Sequence, residues 1–518
     1  MSASFSHKSN RKQIAGKTGK PAPLNKTITQ RRSSWNFTTW AIVLLTGILF
    51  LFRIELLQHR YFDQDEFEHL HASWLVSVGK TPYVDFFEHH TPWLYYAFAP
   101  MYTIIHANEN PNSACSFICF ARVFPLFLSA GVLLLLILVG KTWGDLRLGL
   151  ISAFLASCLP VFLRKTLEFR PDVPALTLWS ASLALLASEF TASEIPLRRT
   201  SIRLFFAGMC VGGAIMFTQK MLFVLPGFGA GLIFWALYAQ PQQSVPIRLR
   251  ACGACVLGIL APFLLTWSAF ALSGAGRQFI ENNFFLNARW KLHISPLVVL
   301  NPLLIESWPL IVLGLGGGVF CWLTWEKKPD WTGRHLSLIV VGILAGLLVI
   351  PVAQEQYYLM LAPPLALLGA RYLIELISSI PKKFQELLLC ACIVGLCIIP
   401  GIAIKTELTY SNEAQLRGLK LVMTRASPNE SVMDGWRGLG VFRPHAFYYF
   451  FLHPEIRAML PERDLDIFLS RLESGEIKPK LIILDDNLNQ LSPRFSRYLA
   501  AHYKLDNAEN IYMRSAAE

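Results

Sequence analysis

Between Asp63 and His71 the chain reads D-Q-D-E-F-E-H-L-H, and between Asp85 and Trp93 it reads D-F-F-E-H-H-T-P-W. Asp65 and Glu66 come soon after a long apolar run, and Glu88 opens a shorter one. Phe, Tyr, Trp and Leu surround these carboxylates. A solvated loop would explain the acidity but not the apolar company, which suits a recess where a carboxylate can take a proton. A second set is cationic. Arg164, Lys165 and Arg170 precede Pro171-Asp172, Lys220 lies in Thr218-Gln-Lys-Met221, and Arg289 and Lys291 end an aromatic stretch that begins at Phe279. Arg and Lys match a phosphate ester. Snorkelling to lipid headgroups explains Arg164 and Lys165 equally well, and explains Lys220, with apolar residues on both sides, less well. Carboxylates facing cations across one hollow meet the needs of group transfer from a phosphate-linked donor. The carboxylate deprotonates the acceptor and the cations stabilise the departing phosphate. A base on the face opposite the leaving group favours inversion.

His69, His71, His89 and His90 raise the question of a divalent cation, since carboxylate and imidazole suit several such ions. Their spacing matches no tetrahedral zinc pattern, so the metal is left undetermined. Cys252 and Cys255 form a CxxC inside an apolar stretch, where packing in a helix is favoured over redox or zinc chemistry. Cys115 and Cys119 could pair or could share a helix face.

The elements that must position these groups follow from composition. Of 518 residues, 53% are apolar and 16% charged, and the apolar residues come in runs of roughly 18–25, the thickness of a bilayer. Soluble enzymes, coiled coils and disulfide-knotted domains are excluded. The net charge of +12 is concentrated in residues 1–35, which hold eight Lys or Arg and no acid. That arm orients a membrane protein and does not indicate nucleic-acid binding. It places the N-terminus in the cytoplasm. Residues 58–117 carry seven acids and few bases, the mark of an outer loop. Within it, Trp93–His106 is too short to cross and reads as an interfacial or re-entrant helix. Spans are expected at about 36–57, 118–140, 147–163, 173–190, 203–218, 221–239, 250–272, 303–325, 335–352, 357–377 and 385–404, with Lys327 and Lys328 among the inside-loop bases. Eleven spans put the C-terminus outside.

Residues 411–518 hold 14 bases and 14 acids. Ser431–Asp434, Lys480–Asp485 and Asn510–Met513 read as strands and Asp464–Leu472 as an amphipathic helix, giving a small α/β extracytoplasmic domain.

Several segments resemble, in order over residues 36–404, the GT-C membrane glycosyltransferases. The group in question holds dolichyl-phosphate-mannose protein mannosyltransferases and the bacterial aminoarabinose transferase that modifies lipid A. Asp65-Glu66 after the first span resembles the family's acidic pair, and Phe87-Glu88-His89 its second loop motif. Arg170-Pro171-Asp172-Val173-Pro174 resembles its acidic turn, Thr218-Gln219-Lys220 its Lys-bearing turn, and Tyr357-Tyr358 with the following Pro-Pro its Tyr-Leu-rich segment. The resemblance implies a polyprenyl-phosphate sugar donor, Asp65 as base or acceptor-binding carboxylate with Glu66 as partner, and Lys220, Arg289 and Tyr357 near the donor phosphate. The aminoarabinose transferase has Lys where this chain has His89, so the donor sugar need not be the same.

The expectation is an inverting glycosyltransferase of a bacterial inner membrane, moving a hexosyl or pentosyl group to lipid A, a surface glycan or a protein. Asp65, Glu66 and Glu88 are the candidate catalytic groups. His89, Arg170, Asp172, Lys220, Arg289, Lys291, Tyr357 and Tyr358 are the candidate substrate contacts. A lipid or glycan transporter is the rival; it is disfavoured by the lack of an internal repeat and by charges gathered outside rather than at the midplane.

Overall fold

The computed structural model describes residues 37–191, 197–239, 244–324, 330–506 and 509–515. The basic arm and the pair Lys327 and Lys328 lie outside the described residues.

In hydrocarbon a backbone must satisfy its own hydrogen bonds, so the apolar runs become helices. Among the described residues nine helices are long and apolar enough to cross a membrane: Phe37–His59, Pro111–Trp143, Asp172–Phe190, Arg198–Phe217, Gln219–Tyr238, Val245–Leu272, Pro296–Leu323, Glu355–Ser378 and Lys382–Glu407. Two shorter apolar helices, Leu146–Ser157 and Trp331–Leu347, stand at the two remaining expected positions. The expected 147–163 run is broken at Leu159, which is extended before Pro160 opens a separate short helix, Pro160–Lys165; the proline ring forces its predecessor out of the α region. Large apolar side chains such as Leu51, Phe127, Leu134, Leu265, Ile305 and Val319 point outward, an arrangement stable only against lipid. The chain is a multi-pass integral membrane protein.

Arg198–Phe217 and Val245–Leu272 touch through small residues. A Cβ on Gly208 would lie 2.1 Å from the Cys255 carbonyl oxygen, and one on Gly258 would lie 2.1 Å from that of Phe205, the close approach that membrane helices use. Cys255 of the CxxC sits in this seam, while the Cys252 thiol donates to Leu232 O on the Gln219–Tyr238 helix at 3.8 Å. All ten cysteines, including Cys115 and Cys119, are free.

The acidic segment that follows the first span, α1 (Phe37–His59), folds into two helices, α2 (Gln64–Ser77) and α3 (Trp93–Ile105). α3 buries Leu94, Tyr95, Phe98 and Tyr102. It is the short helix expected after Trp93.

Beyond residue 411 a four-stranded sheet forms from β1 (Val432–Asp434), β2 (Leu481–Ile483), β3 (Tyr503–Leu505) and β4 (Ile511–Arg514), in the order β1-β2-β4-β3. β1 and β2 run parallel and the other pairs antiparallel. Helix Glu462–Glu473 covers the expected amphipathic segment. β3 had no sequence signal, being three residues long with two of them exposed.

This sheet region and the α2–α3 segment share one apolar core, which contains Phe67, Phe86, Phe87 and Tyr102 together with Met433, Phe442, Phe447 and Phe450. Polar links cross the same boundary. Phe87 N donates to Tyr448 O at 2.9 Å, the Tyr448 hydroxyl donates to Tyr83 O at 2.9 Å, and the Gln415 side chain pairs with both backbone groups of Phe62 at 2.8 Å. Gly438, at φ +76°, presses on Phe67, whose Cβ would be 2.1 Å from an added methyl.

Candidate functional site

Asp63 starts α2 with a capping box: its side chain accepts from Asp65 N at 3.0 Å while Glu66 Oε1 accepts from Asp63 N at 3.0 Å. The cap sets the helix phase, and the phase separates the acidic pair. At about 100° per residue, Gln64, Asp65 and Glu68 share one face, and Glu66 turns away. Glu66 is buried, receiving Arg122 Nε at 2.9 Å, Arg122 Nη2 at 2.6 Å and Phe169 N at 3.0 Å. Asp65 faces a cavity of about 690 Å³.

Three cations line that cavity, Lys165, Arg170 and Lys220. Arg170 is a hub: its Nη1 lies 2.6 Å from Asp65, 3.4 Å from Asp63 and 3.5 Å from Glu168, and its Nε lies 3.4 Å from Asp172. Lys165 contacts Glu168 at 3.0 Å, Asp63 at 3.2 Å and Glu355 at 3.3 Å. Lys220 pairs with Asp172 at 3.2 Å and sits 4.6 Å from the Tyr357 ring centroid. Burial alone would raise Asp63, but Lys165 and Arg170 outweigh it and hold it below the usual carboxylate range. Burial would likewise weaken Lys165 as a cation, and Glu168 and Asp63 reverse that. Lys165 and Arg170 keep their charge by sharing carboxylates.

Behind Asp65 lies a second cluster. The ligand atoms of Glu68, Glu88, His89 and His90 lie within 4.8 Å of one another, all buried. Glu88 Oε1 accepts from His89 N at 2.8 Å, from His90 N at 2.9 Å and from His90 Nδ1 at 2.9 Å. Glu68 Oε1, Glu88 Oε2 and His89 Nδ1 have no hydrogen-bond partner; the distance from His90 Nδ1 to Glu68 Oε1 is 3.6 Å, too long for one. Burial, then the nearby Asp65 and Glu88, push Glu68 well above its ordinary value. Burial keeps His89 and His90 neutral, well below theirs. Two carboxylates, two neutral imidazoles and three orphaned donor atoms fit a divalent transition-metal ion.

The surrounding loops are tied to this centre. Gln219 Nε2 donates to His89 O at 2.9 Å and Asn287 Nδ2 donates to it at 2.8 Å, which fixes the Lys220 turn and the 281–290 segment against the second motif.

Of the residues named from sequence, Asp65, His89, Arg170, Lys220 and Tyr357 line the cavity. Asp172 stands behind Lys220 and Arg170, and Glu88 behind the histidines. Four others are not brought in. Glu66 is consumed by Arg122. Arg289 is exposed and pairs with Glu281 at 3.1 Å. Lys291 is exposed. The Tyr358 hydroxyl donates to Pro296 O at 3.0 Å, away from the cavity, because Tyr357 and Tyr358 are consecutive on the tight turn Glu355–Leu361 and point apart. The sequence reading missed Asp63, Glu68, Glu355 and the wall residues Trp290, Trp436, His453 and Glu455. Reading Asp63 as a helix cap would have put Glu68 beside Asp65. The last three wall residues had no local signal.

No family model and no curated protein matches the chain. Among solved structures, ArnT from Cupriavidus metallidurans bound to undecaprenyl phosphate is similar with a TM-score of 0.61 at 12% identity, over 93% of this chain and 99% of that one. Its apo state gives 0.62 at 13% identity over the same shares. The archaeal oligosaccharyltransferase AglB from Archaeoglobus fulgidus, in complex with an inhibitory peptide and a dolichol-phosphate, gives 0.55 at 11% identity over 93% of this chain and 75% of that one. The chain shares its fold with these two proteins. The shared region takes in the helices and the sheet region together.

Proposed function

We propose that the chain is an inverting glycosyltransferase that takes a sugar from a polyprenyl-phosphate donor on the extracytoplasmic side of a bacterial inner membrane. The observation that carries this reading is the single cavity where Asp65 meets Lys165, Arg170, Lys220 and Tyr357, in a fold also found in ArnT bound to undecaprenyl phosphate and AglB bound to a dolichol-phosphate.

Asp65 accepts the proton of the acceptor hydroxyl as its oxygen attacks the anomeric carbon. The bond from that carbon to the phosphate oxygen breaks, and the phosphate leaves with the electron pair. Lys220 and Arg170 balance the charge that grows on it. Arg170 already holds Asp65 at 2.6 Å, so a phosphate that draws the guanidinium away frees the carboxylate as a base. Glu68, Glu88, His89 and His90 are the residues that would hold a divalent cation. When bound, such an ion supplies further positive charge for the leaving phosphate. The sugar is a hexose or pentose and the acceptor is lipid A, a surface glycan or a protein hydroxyl.

The test is sugar transfer by the purified full-length protein from undecaprenyl-phosphate monosaccharides, wild type against Asp65→Asn, alongside mass spectrometry of surface glycans and lipids with and without the protein. Movement of the donor lipid between leaflets without loss of its sugar would favour the transporter. A reporter fused after Glu518 is expected to be active only outside the cytoplasm.

A further inference from the structure

One wall of the cavity is built from three aromatic side chains that the chemistry above does not use. Trp290 comes from the segment after Val245–Leu272, while Trp436 and His453 come from the sheet region beyond residue 411. The His453 ring lies 5.2 Å from that of Trp436 and 6.0 Å from that of Trp290, at 25° to the latter. Polar groups edge these faces. Glu455 Oε2 receives His453 Nδ1 at 2.7 Å, and both residues line the cavity. Trp436 lies two residues past the end of β1, and its backbone N–H is held by Asp485 at 2.8 Å, so the indole is carried on a fixed turn.

A polyprenyl tail would leave the Glu455 carboxylate, which lines the cavity, facing hydrocarbon, and a charge there is costly. A pyranose or furanose ring satisfies both kinds of surface at once. Its C–H face packs on the aromatic rings, and its hydroxyls donate to Glu455. We propose that Trp290, Trp436 and His453, with Glu455, form a subsite for a sugar ring, resting on the transferase reading above. The ring belongs either to the donor lipid or to a glycan acceptor. The sheet region thereby takes part in selecting the saccharide.

The experiment uses full-length protein in lipid nanodiscs, wild type, Trp436→Leu, Trp436→Phe and Glu455→Gln. Three probes are compared: undecaprenyl phosphate, undecaprenyl-phosphate monosaccharides, and oligosaccharide against peptide acceptors in the transfer assay. Loss of the indole face is expected to weaken a sugar-bearing ligand roughly tenfold, with Phe recovering part of the loss. If the ring is the donor's, Trp436→Leu weakens the sugar-linked lipid and leaves undecaprenyl phosphate unchanged. If it is the acceptor's, donor affinity holds and KM rises for the oligosaccharide acceptor alone. Unchanged undecaprenyl phosphate binding also shows that the variant is folded. Binding of undecaprenyl phosphate with no sugar-dependent change on any arm, or unchanged donor affinity with an equal rise in KM for peptide and oligosaccharide acceptors, overturns the subsite alone. A wild-type protein that binds no undecaprenyl phosphate overturns the transferase reading and the subsite together.

Discussion

Asp65 and Glu66 are adjacent in sequence but differ in role, and neutralising each separately tests that division. Glu66 accepts from Arg122 Nε and Nη2, Phe169 N and Asp63 N, at 2.6–3.0 Å. The Arg122 side chain is 0% and that of Glu66 1% exposed. In Glu66→Gln one oxygen remains, the amide N–H₂ must face at least one of those donors, and Arg122 keeps an uncompensated buried charge. Breaking such a pair costs about 3–5 kcal/mol, a large share of a typical stability of about 5–15 kcal/mol. Asp65→Asn is milder. The Asp65 side chain is 24% exposed, and Arg170 keeps Asp63, Glu168 and Asp172, so the cost in stability is at most about 1 kcal/mol. Loss of the base lowers turnover by about 10²–10⁴-fold. Thermal unfolding and transfer are measured on the same preparations. Asp65→Asn is expected to unfold like wild type with turnover collapsed, and Glu66→Gln to unfold early. Full turnover in Asp65→Asn, or a Glu66→Gln protein that is as stable as wild type yet inactive, would refute the reasoning.

Lys220→Ala is expected to weaken undecaprenyl phosphate binding about ten- to a hundredfold, the value of a charge-assisted contact of about 1.5–3 kcal/mol; titration of the lipid into nanodiscs checks it. Arg289→Ala, whose partner is the exposed Glu281, is expected to change that affinity less than twofold. Elemental analysis of the purified protein is expected to show about one divalent transition-metal ion per chain, depleted in a Glu88→Gln, His90→Ala double variant. Asp434 gives a pH prediction. Burial and then the Asp485 charge raise it to about 7, against about 3.9 in an unfolded chain. Its folded form binds the extra proton between those values, so its contribution is intact below about pH 4 and is lost as pH rises through about 7. Wild-type stability is expected to fall over that window relative to Asp434→Asn, read by tryptophan fluorescence on heating.

The spans were legible because hydrocarbon leaves the backbone no choice but helix. Asp65, Arg170 and Lys220 were legible because an ionisable group beside an apolar run is costly unless used. Glu68 was hidden by helix phase: the reading paired neighbours in sequence, whereas the cap at Asp63 pairs residues three apart. Arg289 and Lys291 looked like phosphate ligands because their segment is aromatic and basic. The same segment gives the cavity Asn287 and Trp290 instead and turns the cations to solvent. Trp436, His453 and Glu455 could not be found at all, since their place depends on how the sheet region seats on the loop that holds α2 and α3.

The core shared by that loop and the sheet region joins pieces of chain made far apart in time. The bond from Tyr448 to Tyr83 spans 365 residues. At roughly 5–20 residues per second, α2 and α3 emerge and then wait on the order of tens of seconds for the surface that will cover Phe67, Phe86 and Phe87. Biogenesis therefore includes an interval in which a sticky, half-built lip stands open at the membrane. A chain cut short near residue 410 would remain in that state permanently, a natural target for quality-control proteases.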